Sequence, residues 1–135
     1  MLDRPTQPIG GAPLPASRAR LRKHADYQRV YRDSRKHFSA SMTYFFVERD
    51  SLRERGPRVG LTAGRVLGKA VERNRIKRRM REAVRLNLGA LTRDVDVVFH
   101  PKRSVLTTDF LNLKGEVLKV FTSIERGLGR RGGGA

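Results

Sequence analysis

The stretch RVGLTAGRVLGKAVERNRIKRRMREAVRLN, residues 58–87, decides how this chain is built. Over 58–64 it alternates: Val59, Leu61 and Ala63 can face a core, while Gly60, Thr62 and Gly64 fall on the other side, the period of a strand. That second side is nearly bare, leaving backbone and Thr62 open to anything laid across the sheet. Gly68 permits the turn that follows, and the period then becomes helical. Wound at ~100° per residue, Ile76, Met80, Ala83 and Asn87 share one side of a helix that ends near Gly89. Asn74, Arg78, Arg81 and Arg85 share the other, flanked by Arg73 and Lys77 on one edge and by Arg75 and Arg79 on the opposite edge.

Between residues 65 and 85 stand Arg65, Lys69, Arg73, Arg75, Lys77, Arg78, Arg79, Arg81 and Arg85, against only Glu72 and Glu82. Cations three and four apart on a helix repel, and a polyanion relieves that repulsion; nucleic acid is the commonest. The bland alternative is a wet helix face without a partner, although such faces normally mix signs. The whole chain leans the same way. Its 135 residues carry 30 basic and 13 acidic side chains, a formal net charge of +17, which favours phosphate backbones or anionic membranes as partners and says nothing of fold. The sequence has no apolar run of the ~18 residues that insertion requires. The first sixteen residues are broken by Pro5, Pro8, Pro13 and Pro15, unlike a secretory signal. Cysteine is absent, which excludes disulfides and thiolate zinc sites. The expectation is an intracellular, cytoplasmic chain, monomeric outside any complex, with no membrane partner.

Working outward, residues 1–17 are rich in Pro, Gly and Ala and are expected to be disordered. A basic arm follows at Arg18, Arg20, Arg22 and Lys23. A first helix over 25–33 carries Tyr27, Val30 and Tyr31 as its apolar stripe. A short strand around 35–39 precedes a clear one at 42–48, with Met42, Tyr44 and Phe46 on one face and Thr43, Phe45 and Val47 on the other. A polar loop, 50–57, reverses the chain. After the basic helix come a strand at 95–100 and a last helix, starting at a Thr107 or Thr108 cap with Asp109 in its first turn. Phe110, Leu113, Val117, Phe121 and Ile124 form its buried stripe, and from Gly127 a disordered Gly/Arg tail is expected. This leaves one domain at 18–126, an α+β sandwich of order α-β-β-β-α-β-α with helices largely on one face of a sheet. Its core uses Met42, Tyr44, Phe46, Val59, Leu61, Ile76, Met80, Val97, Phe99 and the last helix.

A protein-borne active site is not visible. His24, His37 and His100 are scattered, none spaced as part of a triad. Asp94 and Asp96 share a strand face and could bind a metal, but a polar strand entry is the simpler reading. Gly60, Gly64 and Gly68 match neither phosphate-binding fingerprint. Tyr27, Tyr31 and Phe45 could line a groove beside the bare strand, where aromatic faces hold unpaired bases. Alternatively, the tyrosines simply pack the first helix onto the sheet with their hydroxyls in water.

Three blocks together, Arg58-Val-Gly-Leu-Thr62, Gly68-Lys-Ala-Val71 and Arg73-Asn-Arg-Ile-Lys-Arg78, closely resemble the bacterial ribonuclease P protein subunit, and Tyr27-Gln-Arg-Val-Tyr31 looks like that family's paired-aromatic first helix. The similarity spans about 21–126. It implies a protein that binds a large catalytic RNA and helps remove the 5′ leader of precursor tRNA, with the reactive centre in the RNA and no catalytic residue in this chain. It implies a central cleft and a left-handed β-α-β crossover, against the usual hand. By the same resemblance Arg73, Asn74, Arg75, Lys77 and Arg78 face the catalytic RNA, while Tyr27, Tyr31 and Phe45 line the leader cleft; Lys69 and Arg81 are expected with the first set, and Thr43, Thr62 and Arg65 with the second. Magnesium would be held mainly by the RNA, with no metal bound tightly by the protein. This chain departs from the family pattern at Val66, where a second basic residue is common, and in having Tyr at both helix positions, where Phe is common. A ribosomal or chromosome-coating protein, and a nuclease with its own active site, are the competing readings.

Overall fold

The computed structural model of the chain describes residues 19–49 and 56–134. The expected disorder at 1–17, Arg18 of the basic arm and most of the 50–57 loop lie outside these. Three α-helices, α1 (His24–Asp33), α2 (Ala70–Asn87) and α3 (Phe110–Gly134), surround four strands, β1 (His37–Phe38), β2 (Met42–Glu48), β3 (Arg58–Leu61) and β4 (Val95–Pro101). The sheet order is β1-β2-β4-β3. β2 runs antiparallel to β4 from Met42↔Pro101 to Glu48↔Val95. β3 lies parallel to β4, so α2 is the crossover of a β-α-β unit. Ahead of α1, Arg20 bridges to Val59; Leu21 N–H donates to Val59 O at 2.9 Å and Val59 N–H to Ala19 O at 2.6 Å, covering part of the β3 edge.

Strand alternation divides the sheet's two faces. Met42, Tyr44, Val59, Val95, Val97 and Phe99 point to the larger core with Ile76, Met80 and Ala83 of α2 and Leu113, Val117, Phe121 and Ile124 of α3. Every residue expected in the core belongs to it, Phe46, Leu61 and Phe110 from its margin. Phe99 and Phe121 meet with ring centroids 5.9 Å apart; truncating either to Ala would cost about 3–5 kcal/mol through the cavity left behind. On the opposite face lies α1, burying Val30 against Leu21 and Val98, with Tyr27, Tyr31, Phe45 and Val47 around them.

Three expectations at element ends are corrected. The 58–64 strand stops at Leu61 and the chain coils into a 3-10 turn, Arg65–Leu67, before α2. The cap of α3 is Asp109, whose carboxylate accepts the Leu111 N–H at 3.1 Å, while Thr108 Oγ1 turns back to Ser104 O. Where a disordered tail is expected from Gly127, α3 instead continues through Gly134. Leu128 is fully buried in the core, and burying a leucine stabilises by about 1.5–3 kcal/mol, which offsets the ~1 kcal/mol that Gly127 and Gly129 on either side of it each cost a helix.

Candidate nucleic-acid interface

Arg79 of α2 turns inward: its guanidinium donates to Val105 O at 2.8 Å and to Thr108 O, and sits over the Phe110 ring. Periodicity places this residue at the edge of the polar stripe; the structure makes it a tie to the loop before α3. The two acids of the segment are also occupied. Glu72 accepts the Lys69 N–H at 3.0 Å, closing the helix's first turn, and pairs with Arg103 at 2.8 Å. The Arg103 hydrogen bond, chiefly, holds the Glu72 carboxyl down at about 2. Gly68, at φ 123°, lets the chain enter this corner, where a Cβ would collide with Glu72 and Arg103. Glu82 is taken by Arg85 at 2.7 Å.

What remains is a helix face of free cation. Among the described residues, Arg73, Arg75, Lys77, Arg78 and Arg81 have no carboxylate partner. Asn74, Arg75, Arg78 and Arg81 are exposed, and Arg73 and Lys77 half-buried. Arg73 Nε is buried without a hydrogen-bond partner. Lys69 is exposed at the N-cap. Partial desolvation on the otherwise exposed helix face, and then the nearby Arg20, disfavours the charged form of Arg81; the Arg20 part is the repulsion expected of cations with no anion between them.

Of the residues expected in the second site, Tyr27, Tyr31 and Phe45 pack together on the α1 face. Tyr31 OH lies 2.8 Å from His100 Nε2, with its ring edge-on to Phe45 at 5.1 Å. Phe45 is also 5.4 Å from the His100 ring. Thr43 is the register partner of His100. Thr62 Oγ1 is buried beside Tyr31 and makes no well-formed hydrogen bond. Tyr27 is more committed to structure than a stacking platform would be. Its hydroxyl accepts the Leu61 N–H and donates to Leu21 O, both at 3.2 Å. A Cβ on Gly60 would come within 2.6 Å of that oxygen, so the bare side of β3 exists to admit this ring. Arg65 stands exposed on the 3-10 turn, next to Val66, which is 94% exposed.

Two contributors escape the sequence reading. His100 looks scattered there, although strand alternation places it with Phe45; burial, then Lys36, lowers its pKa, favouring the neutral ring at pH 7. Asp96 is no mere polar strand entry. It is fully buried and receives Arg29 of α1, Arg49 at 2.6 Å and Arg58 at 2.9 Å; Arg58 also reaches Asp26 at 3.4 Å. No sequence period could reveal a partner 67 residues away. Among the described residues there is no group of three or more His, Asp or Glu that could hold a metal ion, and Asp96 is already engaged by guanidinium. No helix described is long and apolar enough to cross a membrane.

The two sets of residues share a border. A cavity of about 560 Å³ opens between α2, β3 and residues 19–21, with Tyr27 and Gly60 on one side and Arg78 and Arg81 on the other.

Comparison with known proteins shows the family to which the chain belongs. The family model described as Ribonuclease P matches residues 16–125. The chain is 39% identical to the ribonuclease P protein component of Chloroflexus aggregans over 75% of its own length and 73% of the relative's. It is 35% identical to that of Dictyoglomus thermophilum over 76% and 84%. Its fold resembles the RNase P protein from Thermotoga maritima with a TM-score of 0.67 at 24% identity, covering 77% of this chain and 96% of that one. Sequence and fold agree: the chain belongs to the ribonuclease P protein family.

Proposed function

We propose that this chain is the protein component of a ribonuclease P, acting in tRNA processing as the partner of the RNase P RNA, and that it works by binding rather than by bond-breaking. Family membership supports the subunit role. The observation that carries the binding role is the α2 face on which both acids are occupied and, among the described residues, five cations are left free of carboxylates. Each phosphate that this face neutralises contributes about 0.7–0.9 to the salt slope of log affinity. The catalytic RNA would lie along Lys69, Arg73, Asn74, Arg75, Lys77, Arg78 and Arg81.

The single-stranded 5′ leader of precursor tRNA would lie on the α1 side, against Tyr31, Phe45 and Thr62, with Thr43 at the floor, Tyr27 fixing the wall and Arg65 reaching a leader phosphate. Matured tRNA has no leader to place there, so this surface favours precursor over product by whatever affinity the leader adds. Magnesium, held mainly by the RNA, would supply the activated water and stabilise the leaving oxygen. The chain's own residues orient RNA and leader around that chemistry.

The decisive experiment mixes purified protein, RNase P RNA and precursor tRNA at low magnesium, omitting each in turn. Cleavage is expected only with the RNA present, and faster with the protein. Cleavage by the protein alone, or no stimulation of the RNA, would sink the reading.

A further inference from the structure

The cavity between α2, β3 and residues 19–21 joins an apolar floor to a cationic rim. Leu21, Val59 and Met80 are buried in its wall, and Val84 and Leu88 are half-buried there. The rim carries Arg20, Arg78, Arg81 and Arg85 against Glu82 alone, four positive charges less one negative, or +3. A surface built only to track a phosphate backbone needs no concavity with an apolar floor. A pocket built only to complete a core would not gather guanidinium around its mouth. The volume, about 560 Å³, lies within the roughly 300–1,000 Å³ typical of small-molecule sites.

A flat apolar body bearing an attached anion satisfies both halves. A nucleotide is such a body, but only when unstacked, because a base inside a helix has both faces covered. We propose that this cavity receives one unstacked nucleotide of the RNA bound by α2, its base inserted beside Tyr27, Val59 and Val84 and its phosphate held at the Arg20–Arg81 rim. The inference rests on the RNA-binding reading of α2 and adds a base-inserting site to it, lined by Tyr27 but not by Tyr31 or Phe45. Arginine suits the rim because its planar fork pairs with phosphate and stacks on a base.

The test is an amide NMR titration of the full chain with AMP, ribose 5-phosphate and inorganic phosphate in parallel. AMP is expected to shift Gly60, Leu61 and Val84 saturably, and at least about tenfold more tightly than either probe lacking a base, the increment of one stacked base. Equal affinities for all three would overturn the proposal. Close approach of the Val84 or Leu88 methyl groups to residues 1–18 would also overturn it, by giving the cavity to the chain's own N-terminal segment. A second arm uses Val84→Phe, which pushes a ring into the cavity where the base would insert and changes no charge. Assembly with the RNase P RNA should weaken about tenfold with an unaltered salt slope. Undiminished assembly by the folded variant would remove the nucleotide site and leave the binding role of α2 standing. Failure of the unaltered chain to bind that RNA would remove both. The titration needs no variant, so it decides the matter even if Val84→Phe does not fold.

Discussion

Two sets of arginines in this protein have the same side chain and opposite situations. Arg29, Arg49 and Arg58 converge on the buried Asp96 and join α1, the segment after β2 and β3 into one body. Arg73, Arg75, Arg78 and Arg81 line α2 with no carboxylate among the described residues. In the first set an internal anion has already been supplied, and the charge holds the fold together. In the second the anion has been withheld: the acids that share the helix are engaged by Arg103 and Arg85. Guanidinium therefore does not mark a binding surface by itself; what marks it is guanidinium that the protein leaves without an acid.

The largest effect should come from breaking the internal set. Asp96→Ala leaves three guanidiniums with their shared carboxylate gone, and destabilisation of about 3–5 kcal/mol is expected in urea unfolding. A loss under about 1 kcal/mol would mean that the cluster does not fasten α1. The external set should behave the other way round. Arg75→Ala with Arg78→Ala should leave stability within about 0.5 kcal/mol per site, yet weaken RNA assembly. The salt slope should fall by about 0.7–0.9 for each phosphate no longer neutralised. An unchanged slope would erase the distinction between the sets.

Smaller effects sharpen the picture. Phe45→Leu keeps apolar volume and loses the flat face, so precursor tRNA should bind about 1–3 kcal/mol more weakly. Competition binding with leaderless tRNA checks this, since an equal loss there would take the leader off the α1 face. The smallest effect concerns Glu72. Its carboxyl titrates near 2 in the folded chain against an ordinary 4.5, so its contribution is fully present above pH 4.5 and is lost as pH falls through 2. Glu72→Gln should flatten the acid limb of a thermal-unfolding profile across that window; an identical limb in both chains would show that the pairing with Arg103 adds nothing to stability.

Much of this was legible without a structure because it depends on period. Ile76, Met80, Ala83 and Asn87 are the buried residues of α2, as their spacing requires. The two faces of β2 divide as alternation predicts, Tyr44 and Phe46 toward the larger core and Phe45 toward α1. The misreadings fall where a partner is remote. Arg79 looks like any other cation of the basic run until Val105 and Thr108 come beside it. His100 looks solitary until Tyr31, 69 positions earlier, reaches its ring. Gly127 begins what composition presents as a loose tail, and only Leu128's place in the core makes it helix.

By itself the amino-acid order determined which residues are inside, which helix face is cationic and, through its motif blocks, the family. These follow from periodicity and local charge, which neighbours along the chain establish. Tertiary structure alone decided which charges are spent internally and which remain for a partner. The cavity between Tyr27 and Arg81 likewise exists only in the folded chain. Both depend on groups meeting across dozens of residues, and the free energy of such a meeting is set by distance and burial in the folded state, which no local pattern encodes.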